Sequence, residues 1–356
     1  MAALFGQLVR CIAFIALIVL GAGLAAGPAL AAPYAAIVMD ARTGETLYAK
    51  NADTRLHPAS LTKMLTLYIT FAAIESGEIS LDTMVTVSAN AAAEPPSHLG
   101  LKTGQKIALR YLIRAAAVRS ANDAATAIGD FLGGSEEKFA ARMNRTAKAL
   151  GMKHSTFRNA NGLTRDGHLS TARDMTLLGR RLFYDFPQYY NIFSRRSADA
   201  GMAEVQNTNR KFLDSYQGAD GIKTGYTGPA GFNLTASAER GNKRIIATVF
   251  GGTSTAQRNA KMAELLDLGF AAAPAHAAVQ APAAPVLEPA ATPAEDLVAQ
   301  GEANGVAVGK TLRLITAVTR SPRPKGRPEQ AAAAEVAVAA MQDSIAGALA
   351  EAAAAP

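Results

Sequence analysis

The chain has 356 residues, of which 49% are hydrophobic and 18% are charged, so it is long enough to bury one large core or two smaller ones. Its formal net charge of +7 is compatible with an anionic partner, such as an acidic cell wall or a membrane surface. It has no Trp, and the part predicted to fold has no arginine-rich run with interleaved aromatic residues, which excludes nucleic acid as the expected partner.

The first residues have the composition of a secretory signal. Arg10 precedes an apolar run that ends in Ala29-Leu30-Ala31, so a basic region, an apolar region and a small-x-small cleavage site follow one another. We predict a signal peptide over residues 1–31 and export to the periplasm or cell envelope. The alternative is an uncleaved membrane anchor, because the run approaches the ~20 residues that span a bilayer. The single cysteine, Cys11, lies in this segment, so the mature chain should contain no disulfide or thiolate site.

Strands and helices alternate after this segment. A helix whose apolar spacing indicates burial begins at Ser60, just after Pro58, since proline is tolerated in a first helical turn. The other predicted elements are two strands over 36–50 around a turn at 42–44, a strand over 84–89, a helical region over 107–133 interrupted at 119–123, a helix N-capped by Ser135, strands over 221–227, 232–241 and 243–252, and a helix over 257–270. This order predicts an α+β fold whose single sheet takes its edges from both ends of the chain.

The composition changes after residue 270. Residues 271–298 are an Ala/Pro-rich linker that cannot bury a core, and residues 299–356 are a low-complexity tail that we predict to be disordered rather than an independent domain. An Ala-rich helix candidate over 329–352 has acidic polar residues, which are unfavourable for binding an anionic membrane. The predicted organisation therefore has one folded domain, over 34–270.

Ser60 and Lys63 are candidates for a nucleophile and its base, because residues three positions apart share one face of a helix. None of the histidines lies in a recognisable catalytic pattern. They are His57, His98, His154, His168 and His276. A lysine can replace histidine as the base only when its amine is neutral, and burial or a second nearby cation lowers its pKa. The sequence should therefore supply a second lysine.

Three short patterns that occur together in β-lactamases and penicillin-binding proteins are each present twice. They are Ser-x-x-Lys at Ser60/Lys63 and Ser135/Lys138, Ser-x-Asn at Ser88/Asn90 and Ser120/Asn122, and Lys-Thr-Gly at Lys102 and Lys223. Only their context can choose between the copies.

The context favours the copies at Ser60, Ser120 and Lys223. Ser60 begins a buried helix, Ser120 interrupts an apolar helical region, and Lys223 lies in a strand followed by turns. By contrast, Ser135 has the setting of a helix N-cap, and Lys102 is predicted to pass from a turn into a helix with no strand to present it.

The chain resembles serine-type D-alanyl-D-alanine carboxypeptidases, which are low-molecular-mass penicillin-binding proteins. The stretches that carry the resemblance are HPASLTKMLT, RSANDAA, NANGLTRDGHLSTARDM, DGIKTGYTGPAGFNLTASAERG and FGGTSTAQRNAKMAELLDLGF. Together they extend over roughly residues 34 to 270. The resemblance implies an α+β fold of the β-lactamase/DD-peptidase type, with an antiparallel sheet flanked by helices and a mostly helical subdomain beside it.

The resemblance also implies a role for each matching residue. Ser60 would be the acylated nucleophile, Lys63 would accept its proton, and Ser120 would relay a proton to the leaving amine. The backbone N–H groups of Ser60 and Tyr226 would form the oxyanion hole. The implied substrate-binding residues are Asn122 for the amide, Lys223 and Thr224 for the terminal carboxylate, the adjoining Gly225 and Tyr226, and Arg258 as an aid to the carboxylate. Lys223 would also help to keep Lys63 neutral.

The implied function is an exported serine peptidase that removes the C-terminal D-alanine from peptidoglycan stem pentapeptides and is acylated by penicillins, without a metal or organic cofactor. The alternatives are a DD-endopeptidase, a β-lactamase and a catalytically silent wall-binding protein. The chain lacks the Glu-x-x-Leu-Asn stretch typical of class A β-lactamases. It departs from its relatives in reading Ser-Ala-Asn where Ser-Gly-Asn is usual. The linker also begins where many relatives have a β-rich domain, so membrane association stays open.

Overall fold

The computed structural model describes residues 33–287. The predicted signal peptide over 1–31, the later part of the linker and the tail over 299–356 lie outside these residues. Within the described stretch, no helix combines the length and the apolar composition that crossing a bilayer requires.

The strands of the described residues form one large antiparallel sheet and two small two-stranded sheets. In chain order the strands are β1 (Ala35–Asp40), β2 (Thr46–Lys50), β3 (Met84–Thr86), β4 (Lys106–Ala108), β5 (Ser197–Asp199), β6 (Glu204–Gln206), β7 (Ala219–Thr227), β8 (Gly231–Arg240) and β9 (Lys243–Gly252). The large sheet has the order β2-β1-β9-β8-β7, so the N-terminal hairpin pairs with the last strand. The prediction that its edges come from both ends of the chain is confirmed.

Helices cover both faces of the large sheet. In chain order they are α1 (Lys63–Glu75), α2 (Ala89–Ala92), α3 (Leu109–Arg114), α4 (Asn122–Gly133), α5 (Glu136–Ala149), α6 (Ala172–Asp185), α7 (Pro187–Tyr190), α8 (Arg210–Ser215) and α9 (Thr255–Ala272). Two 3-10 turns, over Ala59–Thr62 and Asn191–Ser194, and a π-helical turn over Ala115–Arg119 join some of them. The first 3-10 turn, called the Ser60 turn below, leads directly into α1.

The alternating side chains of the sheet divide the core into two apolar clusters. In β1, Ile37 belongs to the cluster that also contains residues of α1, α4 and α6, and Val38 to the cluster that also contains residues of α9. Residues 246 and 250 of β9 belong to the first cluster, and residues 245, 247 and 249 to the second. Because successive strand residues point to opposite faces, a sheet covered on both sides needs an apolar run, as in the AAIVM with which the fully buried β1 begins.

One prediction about the short elements is wrong. The sequence predicts that Lys102 passes from a turn directly into a helix, but β4 lies between them and pairs with β3. A strand of three residues is too short to show a period of two, so the hydrophobic pattern could not separate it from the helix that follows. Strands β5 and β6 were missed for the same reason.

The start of the Ala/Pro-rich linker lies against the domain. Residues 274–287, called the strap below, are attached mainly through their backbone. Arg42 donates to the carbonyl of Pro274 at 2.8 Å, and the N–H of Gln280 donates to the carbonyl of Arg42 at 2.8 Å. Arg180 also donates to the carbonyl of Gln280. Arg42 is itself held by a buried ion pair with Asp40 at 2.8 Å. The polypeptide therefore contacts the domain well beyond the end of α9.

We expect the strap to contribute to stability. Truncation after Ala273 removes one carbonyl partner from each of Arg42 and Arg180, which are 5% and 6% exposed. Compared with a chain truncated after Leu287, it should lower the free energy of unfolding by about 1–3 kcal/mol, because buried donors lose their acceptors. Urea unfolding of the two truncated chains measures the difference. Equal midpoints would show that the strap contributes nothing.

Candidate active site

The amine of Lys63 lies beneath Ser60. Lys63 is the first residue of α1 and is completely buried, while Ser60 is partly exposed in the turn before it. The Lys63 Nζ is 3.0 Å from the Ser60 Oγ. It also donates hydrogen bonds to the Asn122 Oδ1 at 2.8 Å and to the backbone carbonyl of Asn161 at 2.6 Å. The lysine predicted as the base is therefore in direct contact with the serine predicted as the nucleophile.

Burial changes the charge state of this lysine. It lowers the pKa of Lys63 to about 7, while the carboxylates of Glu94 and Asp123 act in the opposite direction. A large fraction of the molecules therefore has a neutral Lys63 amine at neutral pH. A neutral amine has two N–H bonds and one lone pair. Because Asn122 and Asn161 supply two acceptors, the lone pair is left for the hydroxyl of Ser60.

Ser120 joins the second lysine to the site. It ends the π-helical turn with a left-handed backbone, φ 64°, and then α4 begins. This break in the helix matches the interruption predicted at 119–123. Ser120 Oγ accepts a hydrogen bond from the Lys223 Nζ at 2.8 Å, and Lys223 is 1% exposed. The structure thus places the pair formed by Ser120 and Lys223 next to the pair formed by Ser60 and Lys63.

The two lysines are not equivalent in their electrostatics. Burial lowers the pKa of Lys223, and the positive charges of Lys63 and Arg258 lower it further. For Lys63, burial is the main cause of the lowered pKa. The sequence argument, which relied on Lys223 to keep Lys63 neutral, gave the second lysine more weight than the structure does.

Strand β7 lies directly along the Ser60 turn. A Cβ atom on Gly225 would be 3.0 Å from the carbonyl oxygen of Pro58 and 3.2 Å from the backbone nitrogen of Ser60, so a side chain here would push the Ser60 turn away by a few tenths of an ångström. Because β7 is an edge strand, alternate N–H groups face away from β8. The side chain of Tyr226 is 59% exposed and its ring lies 4.4 Å from that of Phe232, centroid to centroid.

A cavity of about 340 Å³ opens above these residues. Seven of the predicted site residues line it, namely Ser60, Ser120, Asn122, Thr224, Gly225, Tyr226 and Arg258. The two lysines lie under it and contact the two serines. Arg258 is 4% exposed, and burial lowers the pKa of Arg258 to about 10, so its guanidinium stays positively charged at neutral pH. The cavity therefore has the hydroxyl of Ser60 with the amine of Lys63 below it and a cation at its edge.

The other copies of the short patterns lie elsewhere. Ser135 is the N-cap of α5, and its Oγ accepts a hydrogen bond from the backbone N–H of Lys138 at 3.2 Å, as predicted. Ser88 is the N-cap of α2 and also donates to Asp130 at 2.6 Å. Neither serine lines the cavity.

The segment from 159 to 168, which the sequence reasoning left without a role, encloses the Ser60 turn. Besides the carbonyl of Asn161 on Lys63, the carbonyl of Ala160 accepts a hydrogen bond from Thr66 at 2.7 Å. A Cβ atom on Gly162, which has φ +89°, would lie 1.9 Å from the carbonyl oxygen of Ala59. The Asn-Gly pair at 161–162 is a turn signal that could have drawn attention to this segment.

Thr208 was also missed. Its hydroxyl lies 2.8 Å from that of Thr224, and it lines the cavity. Nothing in the local sequence distinguishes it from other exposed threonines.

His168 holds the enclosing segment in place. It is 1% exposed; its Nδ1 accepts a hydrogen bond from the N–H of Arg158 at 3.3 Å, and its Nε2 is 2.9 Å from the Thr62 Oγ1. The ring is therefore neutral, with its proton on Nε2 and directed to Thr62. Burial, helped by nearby cations, lowers the pKa of His168 to about 4. Its contacts are those of a structural residue.

Comparison with protein families shows which family this chain belongs to. The family described as D-alanyl-D-alanine carboxypeptidase matches residues 24–254. The chain belongs to this family. It is 40% identical over 240 residues to the D-alanyl-D-alanine carboxypeptidase DacF of Bacillus subtilis, a match that covers 66% of this chain and 61% of that protein. It is 38% identical over 240 residues to DacA of Escherichia coli, covering 66% and 60%. The chain thus matches about three fifths of the length of these relatives.

Solved structures of penicillin-binding proteins have the same fold. The chain aligns with penicillin-binding protein 5 of Haemophilus influenzae at a TM-score of 0.64 and 33% identity, covering 69% of this chain and 72% of that one. It aligns with the cefotaxime-bound penicillin-binding protein D2 of Listeria monocytogenes at a TM-score of 0.61 and 35% identity, covering 66% and 96%. The predicted fold class, an antiparallel sheet flanked by helices as in the DD-peptidases, is confirmed over the described residues.

We expect His168 to make the stability depend on pH. Its pKa is lowered from an ordinary value of 6.5 to about 4, so between these values the unfolded chain binds a proton that the folded one does not. Stability should therefore fall as the pH falls from about 6.5 to about 4, by up to about 3 kcal/mol from this residue.

Urea unfolding at several pH values in this window measures the effect. The variant His168→Gln should show a weaker pH dependence, while His98→Gln, at an exposed histidine, should match the unmodified protein. An undiminished slope in His168→Gln would contradict the assignment.

Proposed function

We propose that this protein is a serine-type DD-carboxypeptidase of the cell envelope that removes the terminal D-alanine from peptidoglycan stem pentapeptides. Family membership supports the reaction class. The observation that carries the mechanism is the buried Lys63 amine, 3.0 Å from the Ser60 Oγ and with Asn122 and Asn161 as acceptors for its two N–H groups. The catalytic domain would extend over residues 34–270.

In the first step, the Oγ of Ser60 attacks the carbonyl carbon of the penultimate D-alanine and its proton moves to the neutral Nζ of Lys63. The negative charge develops on the carbonyl oxygen, where the backbone N–H groups of Ser60 and Tyr226 would stabilise it. The close approach of β7 to the Ser60 turn at Gly225 supports this pairing of donors.

In the second step, the amide C–N bond breaks and the leaving amine takes up the proton that the Nζ of Lys63 accepted from Ser60. Ser120 is suited to relay that proton, because it lines the cavity and its hydroxyl accepts a hydrogen bond from Lys223 at 2.8 Å. D-alanine leaves, and Ser60 carries the shortened peptide as an ester. A water molecule then attacks the ester carbonyl and gives a proton to the neutral Nζ of Lys63, which passes it to the Oγ of Ser60 as the ester C–O bond breaks.

Substrate orientation would come from the positive edge of the cavity. The side chains of Thr224 and Arg258 line it and Lys223 lies beneath it, so a terminal carboxylate is favoured there. Arg258 stays cationic because its lowered pKa of about 10 is still above neutral pH. Asn122 would bind the substrate amide from the opposite side.

The same serine should react with β-lactams. Their strained amide presents a carbonyl carbon to Ser60, and the ring remains attached after it opens, so no leaving group departs from the cavity. The cefotaxime-bound structure of the Listeria relative supports this extension to the present chain. Export by the predicted signal peptide would place the enzyme where peptidoglycan is available.

Labelling with a fluorescent penicillin tests the assignment of the nucleophile. The variant Ser60→Ala should lose the label entirely, because no other hydroxyl contacts the Lys63 amine among the described residues. Ser135→Ala is the matched control, since it alters the other Ser-x-x-Lys pattern and should label fully. Persistent labelling of Ser60→Ala would refute the proposal.

The same two variants identify the peptidase class when they are incubated with a stem pentapeptide and with cross-linked peptide dimers. Release of D-alanine from the pentapeptide by the unmodified protein and by Ser135→Ala is expected. Cleavage of the dimers alone would replace the carboxypeptidase by an endopeptidase, and hydrolysis of penicillin alone would replace it by a β-lactamase.

The rate of acylation should depend on pH through Lys63. Because the neutral amine is the base and the pKa of Lys63 is about 7, the second-order rate constant should rise from pH 6 to pH 8 with a midpoint near 7. Stopped-flow acylation by a chromogenic cephalosporin measures it. A midpoint below pH 5, in the range of a carboxylate base, would contradict this role, and Lys63→Met should abolish acylation at every pH.

A further inference from the structure

Glu94 is a half-buried carboxylate close to the base, and neither the short patterns nor the resemblance pointed to it. It lies between α2 and β4, and its Oε1 accepts hydrogen bonds from the Asn161 Nδ2 at 2.6 Å and from the Thr126 Oγ1 at 2.8 Å. The backbone carbonyl of the same Asn161 accepts from the Lys63 Nζ at 2.6 Å. A single residue therefore links the carboxylate of Glu94 to the amine of Lys63.

Glu94 cannot touch a substrate in the cavity. The residues that follow it, Pro96 and Ser97, line the cavity, but Glu94 does not. Its carboxylate faces Asn161 and Thr126, which is 1% exposed, so it lies behind the wall of the site. Any effect of Glu94 on the reaction must therefore act through other residues.

Several charged groups surround the Lys63 amine. The carboxylates of Glu94, between α2 and β4, and of Asp123, on α4, favour its protonated form. On β7, burial lowers the pKa of Lys223, and the positive charges of Lys63 and of Arg258 on α9 lower it further.

The two carboxylates differ in what else they hold. Asp123 accepts hydrogen bonds from the backbone N–H groups of residues 99, 100 and 101, so it is needed to shape that segment. Glu94 is bound by side chains, and its environment also contains Arg165 and Asp130. The charge of Glu94 can therefore be changed with less disturbance to the backbone.

We propose that Glu94 is a positioning residue for the proposed acylation: it holds the Asn161 segment against Lys63 and sets the pH at which that lysine becomes a base. The inference rests on the proposed function of Ser60 and Lys63. The physical reason is that a negative charge behind Asn161 stabilises the ammonium form, while the hydrogen bond to the Asn161 side chain keeps the carbonyl of that residue on the amine. Glu94 thus affects both the position of the Asn161 carbonyl and the protonation state of Lys63.

The variant Glu94→Gln separates charge from shape, because an amide oxygen can still accept from Asn161 and Thr126 while the negative charge is lost. The midpoint of the acylation profile should move to lower pH by roughly one unit. At pH 6, acylation should be about fivefold faster relative to its plateau, as the neutral fraction of Lys63 rises from about a tenth to about a half. An unmoved midpoint, or one moved to higher pH, would overturn the proposal.

Two further variants sharpen the test. Glu136→Gln removes another half-buried carboxylate, which pairs with Arg165 at 2.9 Å but has no hydrogen bond to Asn161, and it should retain the original midpoint. Glu94→Asp keeps the charge but withdraws it from Asn161, so the midpoint should stay near its original value while the plateau rate falls several-fold. If Glu94→Gln does not fold, an unchanged plateau in Glu94→Asp would overturn the positioning role.

A measurement without turnover distinguishes this inference from the proposed function. The ¹³Cε resonance of Lys63 in the full chain, assigned by its loss in Lys63→Met, can be titrated by NMR in the unmodified protein and in Glu94→Gln. If penicillin fails to acylate the unmodified protein, the proposed function fails, yet a lower titration midpoint in Glu94→Gln would still support the electrostatic link. Identical titrations would overturn it.

Discussion

The site depends on one physical constraint, the complete burial of a lysine amine beneath a serine hydroxyl. An ammonium group removed from water is unfavourable, so burial lowers the pKa of Lys63 and the amine loses its proton more easily than a lysine in water. A buried amine without hydrogen-bond partners would destabilise the fold. In this structure the carbonyl of Asn161 and the side chain of Asn122 accept hydrogen bonds from it. The elements that carry these partners come from distant parts of the chain and meet at Lys63.

The large sheet contributes to the site through one of its two edge strands. Its central strands are buried on both faces, and the order β2-β1-β9-β8-β7 leaves β7 as the edge that faces the Ser60 turn. The strand can approach that closely because Gly225 has no side chain, and Lys223, two residues earlier, then reaches Ser120. The enclosing segment with His168 closes the turn from the other side. Rigid elements on three sides thus position groups that would otherwise move independently.

Much of the candidate site could be predicted from local sequence patterns. The apolar helix around Ser60, the interruption at Ser120 and the strand at Lys223 each set one copy of a repeated three-residue pattern apart from its duplicate, and the structure places all three at one cavity. Local pattern failed for β4, which is too short to show a period, and it overstated the electrostatic effect of Lys223 on Lys63. It also gave no reason to single out Glu94, whose significance comes from residues 32 and 67 positions away in sequence.

The amino-acid sequence by itself determined the residue types, the three-residue spacing of Ser60 and Lys63 on one helix, and the succession of strands and helices, because these follow from periodicity and backbone preference within short windows. Only the tertiary structure decided that the carbonyl of Asn161 lies on the amine of Lys63, 98 residues away, and that Lys223 meets Ser120 across 103 residues. Such contacts depend on how the whole core packs. No local pattern encodes them, and the lowered pKa values of the two lysines arise mainly from the burial that this packing creates.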